Sequence, residues 1–76
     1  MNDEPAIDAL VRLGEAAYDR MYDARDARAA AVEYSDCKDY FRDAIRMAHA
    51  AGLTQRVVEL ESRLAHIKAV FRSQFA

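Results

Sequence analysis

The chain of 76 residues has few of the residues that interrupt helices or cross-link small proteins. It contains two glycines, one proline, one cysteine and no tryptophan. The single cysteine, Cys37, cannot form an intramolecular disulfide, which excludes a disulfide-stabilised scaffold. The scarcity of glycine and proline favours helix, because these residues cost about 1 and about 3 kcal/mol in a helix interior.

Long apolar runs are also missing, and no stretch approaches the roughly 20 residues that span a bilayer. The first four residues, Met-Asn-Asp-Glu, are acidic, which is the reverse of the basic start of a signal peptide. We therefore expect a cytoplasmic protein that does not use a membrane as its partner.

The composition is that of a small globular domain, with 53% hydrophobic and 32% charged residues. Intrinsic disorder requires fewer large apolar side chains and a larger charge imbalance. The net charge is −2, and basic residues alternate with acidic ones through most of the chain. Because nucleic-acid binders present a basic face to phosphates, we expect no nucleic-acid partner.

Two apolar stripes at helical spacing predict an antiparallel helical hairpin in the second half of the chain. The first stripe consists of Tyr34, Cys37, Phe41, Ala44, Ala48 and Ala51. The second consists of Val57, Leu60, Leu64, Ile67, Phe71 and Phe75. Gly52 lies between the stripes, where a helix commonly ends in a left-handed residue. Such a hairpin places residues whose numbers sum to about 106 opposite each other.

An earlier stripe predicts a first helix that covers this hairpin. Its apolar positions are Ile7, Leu10, Val11, Gly14, Ala17, Tyr18 and Met21. Pro5 lies in the first turn, where its missing N–H has no intrahelical partner. Residues 23–28 have no apolar face, which predicts a turn without glycine or proline. The alternative is one continuous helix from Pro5 to Ala51, about 70 Å long, which would require an obligate dimer.

These patterns predict a single all-α domain over residues 1–76, folded as a three-helix up-down-up antiparallel bundle. The predicted helices cover residues 4–25, 29–51 and 54–74.

The helix starts are predicted from capping signals. Ser35 is one candidate N-cap for the second helix, but the alanines that precede it favour an earlier start. Thr54 is predicted to cap the third helix, with Leu53 and Val58 at the spacing of a hydrophobic staple.

The segment from Tyr34 to Gly52 resembles the second helix of a tetratricopeptide repeat. That helix has a small residue, an aromatic residue, an alanine and a large aliphatic residue at set spacing, filled here by Cys37, Phe41, Ala44 and Ile45. The first helix of a repeat is matched by Leu10, Leu13 and Gly14. Its tyrosine falls one position late, at Tyr18, with Ala17 in its slot.

The spacing within this likeness departs from the family. Gly14 and Cys37 are 23 residues apart, where the repeat leaves about 12, so the resemblance implies a longer hairpin with the third helix as its cap. The three-helix microtubule-interacting-and-trafficking domain is a second, looser likeness. Both families bind peptides or helices of other proteins, and the resemblance therefore implies an interaction module.

The histidines and the cysteine do not form a pattern typical of catalysis or metal binding. His49 and His66 fall about 13 Å apart along the predicted hairpin. That is too far to share a zinc ion, whose ligands lie about 2 Å from the metal. Cys37 occupies a core position, where a thiol behaves as a small hydrophobe. We therefore expect no metal, no cofactor and no catalytic residue.

An acidic group on the second helix has two interpretations. Asp36, Asp39 and Asp43 could form a carboxylate cluster for acid–base chemistry. They also interleave with Lys38, Arg42 and Arg46, which is typical of a solvated face with ion pairs such as Asp39–Arg42 and Asp43–Arg46. The second interpretation is favoured, because no apolar pocket is present to raise the pKa of a carboxyl group.

Apolar residues in excess of one core indicate where a partner would bind. Tyr40 and Met47 form a second stripe on the second helix, which either faces the first helix or contacts a partner. Phe75 remains uncovered if the first helix packs on Phe71. The predicted partner contacts are Tyr18, Tyr22, Tyr40, Met47 and Phe75.

The sequence therefore predicts a small, non-enzymatic adaptor that binds a helix or peptide of another protein. The groove is expected between the first two helices or at the Phe71 and Phe75 end. The alternative is a structural homodimer that uses the same surface. A small-ligand binder or an enzyme is a further alternative.

Overall fold

The structure, a computed structural model, describes residues 2–75 as three packed α-helices, and no strand occurs among those residues. The helices are α1 (Glu4–Asp23), α2 (Ala27–Ala50) and α3 (Thr54–Gln74). The predicted all-α, three-helix fold is confirmed. Pro5 lies in the first turn of α1, as expected for a residue that lacks an N–H.

The first turn occupies Ala24–Asp26 and excludes one continuous helix. Ala24 has extended backbone angles, φ −65° and ψ 138°. Asp26 then caps α2, because its side chain accepts a hydrogen bond from the Ala29 N–H at 2.7 Å. Both bounds predicted for this turn are therefore two residues too late, and Ser35 lies inside α2 rather than at its start.

Gly52 lies in the turn that follows α2, as predicted. The last helical residue is Ala50, whereas the prediction extended the helix to residue 51. Gly52 has φ +73°. Its N–H donates to the His49 carbonyl at 3.0 Å, and the Leu53 N–H donates to the Ala48 carbonyl at 2.9 Å. These two bonds form a Schellman motif and satisfy carbonyls that the helix end leaves unpaired.

The predicted cap of α3 is wrong. Leu53, not Thr54, is the N-cap residue, and no side chain caps the helix. Gly52 and Leu53 form the Schellman motif, and α3 begins at the next residue, so Thr54 is already helical. The Leu53–Val58 staple is also wrong, since Val58 is 56% exposed while Leu53 packs on the core.

The core is built from the three predicted stripes. Its central residues are Ile7, Ala17, Cys37, Phe41, Ala44, Ala48, Val57, Leu60, Leu64 and Ile67. Met21 and Ala30 are also fully buried. Ala51 is an exception, because it lies in the second turn and is exposed.

Helices α1 and α3 run in the same direction and are linked by long side chains. Arg56 donates to Asp8 at 2.6 Å, and Arg63 makes a bidentate contact with Glu15 at 2.7 and 2.8 Å. Both pairs join residues 48 positions apart and are partly buried. The constant separation shows that α1 and α3 run parallel, with α2 antiparallel between them, which is the up-down-up arrangement.

Candidate interaction surfaces

Five aromatic rings from all three helices form one cluster at the end of the bundle where α1 ends and α2 begins. The aromatic cluster consists of Tyr18, Tyr22, Tyr34, Phe71 and Phe75. Neighbouring ring centroids lie between 3.9 and 6.2 Å apart. Tyr34 and Phe71 stack with an interplanar angle of 7°, which agrees with the register predicted for the hairpin.

The protein's own cations cover both ends of the aromatic cluster. The Lys38 Nζ lies 4.4 Å from the centroid of the Tyr34 ring, and the Arg63 guanidinium lies 5.0 Å from that of Tyr18. These distances are typical of cation–π contacts. Burial and a long hydroxyl contact with Tyr22 at 3.4 Å raise the pKa of Tyr18 to about 12. Tyr22, between the two ends, stays 46% exposed.

The structure divides the predicted contact residues into two groups. Tyr18, Tyr22 and Phe75 meet in the aromatic cluster, where Phe75 contacts both Tyr22 and Phe71 and is half-buried. Tyr40 and Met47 lie elsewhere, because they follow Glu33 at heptad spacing and Glu33 pairs with Arg20 of α1, which places all three on the α1 side of α2. The predicted residues therefore belong to two separate surfaces of the bundle.

The second group belongs to an outer flank along the α1–α2 seam, formed by Leu13, Arg20, Glu33, Tyr40 and Met47. Its register is set by Arg20, which donates to Glu33 at 3.1 Å. Leu13 lies seven residues before Arg20 and Tyr40 lies seven residues after Glu33, so this register places Leu13 level with Tyr40. Leu13 is 48% exposed, Tyr40 is half-buried, and Met47 packs against the core.

The outer flank faces away from α3. Leu13 precedes Glu15, which pairs with α3, by two residues, so the two side chains point about 160° apart around α1. Tyr40 precedes Arg42, which lines a groove with α3, by the same two residues on α2. Both rows of the outer flank are therefore turned away from the third helix.

A groove between α2 and α3 was not predicted from the sequence. The basic groove, about 340 Å³ in volume, is lined by Arg42, Ile45, Glu61, Leu64, Ala65 and Lys68. Ile45 and Leu64 pack on the core and form its apolar floor. Arg42 and Lys68 line this groove together although they are 26 residues apart in the chain. The only signal for it in the sequence is the predicted hairpin itself, which places charged as well as apolar positions of its two helices beside one another.

The rim of the basic groove carries more positive than negative charge. Among residues 2–75, neither Arg42 nor Lys68 takes part in an ion pair. Lys38 lies level with Lys68 in the register that Tyr34 and Phe71 define, and Glu61 is the carboxylate in the lining. An excess of positive charge beside an apolar floor favours an anionic partner.

A larger concavity, about 600 Å³, is lined by residues of α2 alone. It runs along the acidic group on that helix, where Asp43 pairs with Arg46 as predicted. Asp39 and Arg42 line the same concavity, but no ion pair between them occurs in the part of the chain that the structure describes. With walls from one helix only, this region is a solvated face between long side chains.

The thiol lies in the core, and both imidazoles lie on the surface. Cys37 is fully buried, and burial raises the pKa of its thiol to about 11. His49 and His66 are both exposed. Across residues 2–75, no group of three or more histidine, cysteine, aspartate or glutamate side chains is placed to hold a metal ion.

Neither the described helices nor comparison with known proteins points to a membrane span or to a known family. Within the described residues, none of the helices combines the length and the apolar character that crossing a bilayer requires. The chain matches no protein-family model, no curated protein and no solved structure.

Proposed function

We propose that the protein is a small interaction module that binds a segment of another protein along the basic groove. The occupant is a short amphipathic peptide or helix with apolar side chains on one face and acidic side chains beside them. The observation that carries the proposal is the juxtaposition of Arg42 and Lys68, both without an ion-pair partner among residues 2–75, over an apolar floor.

The apolar floor provides a site for a partner's hydrophobic anchor. Ile45 and Leu64 are held in place by the core behind them, so an incoming aliphatic side chain meets a rigid surface. Rigid pre-formed surfaces lose little entropy on binding. The flanking cations then orient the segment and speed its association, because opposite charges steer diffusional encounter.

The aromatic cluster extends the same surface toward the end of the bundle. Lys38 lies over Tyr34, Tyr34 stacks on Phe71, and Phe71 contacts Phe75. A bound segment longer than the basic groove therefore reaches Phe75 and then the exposed ring of Tyr22. Phe75 and Tyr22, which are both predicted contact residues, therefore form the outer edge of the proposed binding surface.

The likeness to tetratricopeptide and microtubule-interacting-and-trafficking helices supports the same class of function, since both families bind helices or peptides. Binding requires no catalytic group and no cofactor. We place the protein in the cytoplasm as part of the proposal. A single, fully buried thiol supports that location, because small domains of oxidising compartments commonly carry disulfides.

Selection from a random peptide display library against the whole chain tests this function. The enriched peptides should combine acidic and aliphatic residues, and the best of them should then be measured by fluorescence anisotropy. Arg42→Glu together with Lys68→Glu should weaken binding by 10-fold or more, about 1.4 kcal/mol. The loss should shrink as salt is added.

The matched control is Arg12→Glu with Arg25→Glu, which changes the net charge equally at two exposed positions outside the groove. This control should bind nearly as well as the unmodified chain. Peptides without acidic enrichment, or equal losses in the two double variants, would refute the proposed site.

A further inference from the structure

The outer flank is a second surface with features that one chain does not use. Leu13 is 48% exposed, and Tyr40 is half-buried. The two residues lie at the same level of antiparallel helices, as set by the Arg20–Glu33 pair one heptad away. The flank therefore presents an apolar centre with charged groups toward one end.

We infer that a second copy of this chain docks on the outer flank, related by a two-fold axis that runs parallel to the helices. Such an axis places α1 of each copy over α2 of the other and keeps residues at the same level. Leu13 of one copy then lies over Tyr40 of its partner, and the same contact recurs on the other side of the axis. A two-fold interface of this kind is self-complementary.

The charges on the flank favour this arrangement. Arg20 of one copy comes to the level of Glu33 on its partner, three residues or about 4.5 Å along the axis from Asp36. Asp36 is exposed and has no ion-pair partner within residues 2–75, and the Arg20 side chain is 51% exposed. Arg20 therefore pairs with Glu33 within its own chain and with Asp36 across the interface.

The opposite orientation is less favourable. An axis perpendicular to the helices would place α1 over α1 and α2 over α2. The contact of α2 with α2 would bring Glu33 and Asp36 of one copy near the acidic residues of α2 on the other copy, which include Asp43. Like charges at an interface repel, so the axis parallel to the helices is the one that the charge pattern selects.

Sedimentation velocity over a series up to hundreds of micromolar tests the interface on the whole chain. The unmodified chain should change reversibly from monomer to dimer. Leu13→Lys should weaken dimerisation by about 10-fold or more, because it places a charge at the apolar centre. Val58→Lys is the matched control, since Val58 is 56% exposed on α3 and lies outside the flank. It should leave the dimer unchanged.

A charge exchange tests the orientation of the axis. Arg20→Asp alone should oppose dimerisation by setting a new carboxylate against Asp36, and Asp36→Arg alone should oppose it by setting two guanidinium groups together. An equimolar mixture of the two variants should form heterodimers, because both contacts across the axis then regain opposite charges. Circular dichroism of each variant should show the helix content of the unmodified chain.

Three results would overturn the inference. They are a strict monomer at the highest concentration, a dimer that Leu13→Lys and Val58→Lys affect equally, and a mixture of charge variants that stays monomeric. The inference is independent of the proposed peptide binding, because the basic groove faces the other side of α2. Loss of the dimer with intact peptide binding, or the reverse, therefore separates the two.

Discussion

The ring of Phe41 packs directly on the backbone of Gly14. A β-carbon at Gly14 would lie 2.7 Å from the ring Cε2 atom and 2.8 Å from Cδ2. Both residues are buried, and Phe41 has no exposed surface. This contact sets how closely α1 approaches α2, because the largest ring of the core fills the space that a side chain on α1 would occupy.

Gly14→Ala should therefore destabilise the protein although alanine is the better helix former. The gain in helix propensity is about 1 kcal/mol, whereas overpacking a filled core costs about 1–3 kcal/mol. The ring cannot withdraw, since it is enclosed on all sides. We expect a net loss of about 1 kcal/mol, measured as a lower urea midpoint with an unchanged slope.

The clash itself can be isolated with a smaller partner side chain. In a Phe41→Leu background, the same Gly14→Ala change should lose its cost and become neutral or stabilising. A double-mutant cycle measures this coupling directly. If Gly14→Ala costs the same in both backgrounds, the two residues are not coupled and the contact does not set the helix separation.

Asp26→Ala should destabilise the protein by about 1 kcal/mol, because it removes the side chain that caps α2. The cap bond from the Ala29 N–H is 2.7 Å long. Thr54→Ala is the informative comparison, since Thr54 is the residue that sequence alone predicts as a cap and its side chain caps nothing in the structure. Thermal unfolding should separate the two variants, and equal losses would contradict the capping assignment.

Stability should fall in mildly alkaline solution because of Cys37. Burial raises the pKa of its thiol from 9.0 to about 11. The unfolded chain therefore releases this proton at a lower pH than the folded chain. The contribution of the neutral thiol to stability is complete below pH 9.0 and is lost progressively as the pH rises toward about 11.

The measurement is the unfolding free energy between about pH 8 and about pH 10, with Cys37→Ala as the comparison. The variant starts from a lower stability because it leaves a small cavity, so the slope with pH is the quantity to compare. Its decline should be shallower than that of the unmodified chain. Parallel declines would show that the thiol does not titrate differently in the two states.

Arg63→Gln should destabilise the protein by about 1 kcal/mol at low ionic strength. Arg63 makes a bidentate contact with Glu15, which raises the pKa of the guanidinium, and it also covers the Tyr18 ring. Arg46→Gln is the control, because Arg46 pairs with Asp43 on one helix and its side chain is 74% exposed. That variant should be nearly neutral in urea titrations, and equal effects would refute a special role for the α1–α3 pair.

The predictions made from local signals, the apolar stripes and Gly52 above all, are confirmed by the structure. The third helix was expected over residues 54–74, and it occupies Thr54–Gln74. Its stripe repeats without interruption, and Gly52 marks the point where α2 must end. A stripe and a glycine are local signals, and they act through the same backbone geometry whatever surrounds them.

The errors occur where hydrogen bonds at the turns determine the boundaries. The first turn was expected too late because alanines surround it and hide the capping role of Asp26. Thr54 was expected to cap α3, but the bond from Leu53 to Ala48 makes Leu53 the last residue before the helix. Several polar residues near each turn were suitable caps, and backbone geometry selected between them.

The candidate surfaces were only partly predictable. The sequence identifies the Tyr40 and Met47 flank and the Phe75 end as apolar regions beyond one core, and leaves open which of the two binds a partner. It does not show that Arg42 and Lys68 line the same groove, because that depends on how α2 packs on α3. A periodic stripe specifies an angle around its own helix and carries no information about the charges that a neighbouring helix brings beside it.

The sequence by itself determined the three helices, their apolar faces and the scarcity of breakers within them, because these depend on residues within a few turns of one another. The tertiary structure decided which side of the α1–α2 hairpin α3 covers. A hairpin has two sides, and local spacing does not distinguish them. Once α3 covers one side, Arg42 and Lys68 border a groove, while Leu13 and Tyr40 are left on the other side.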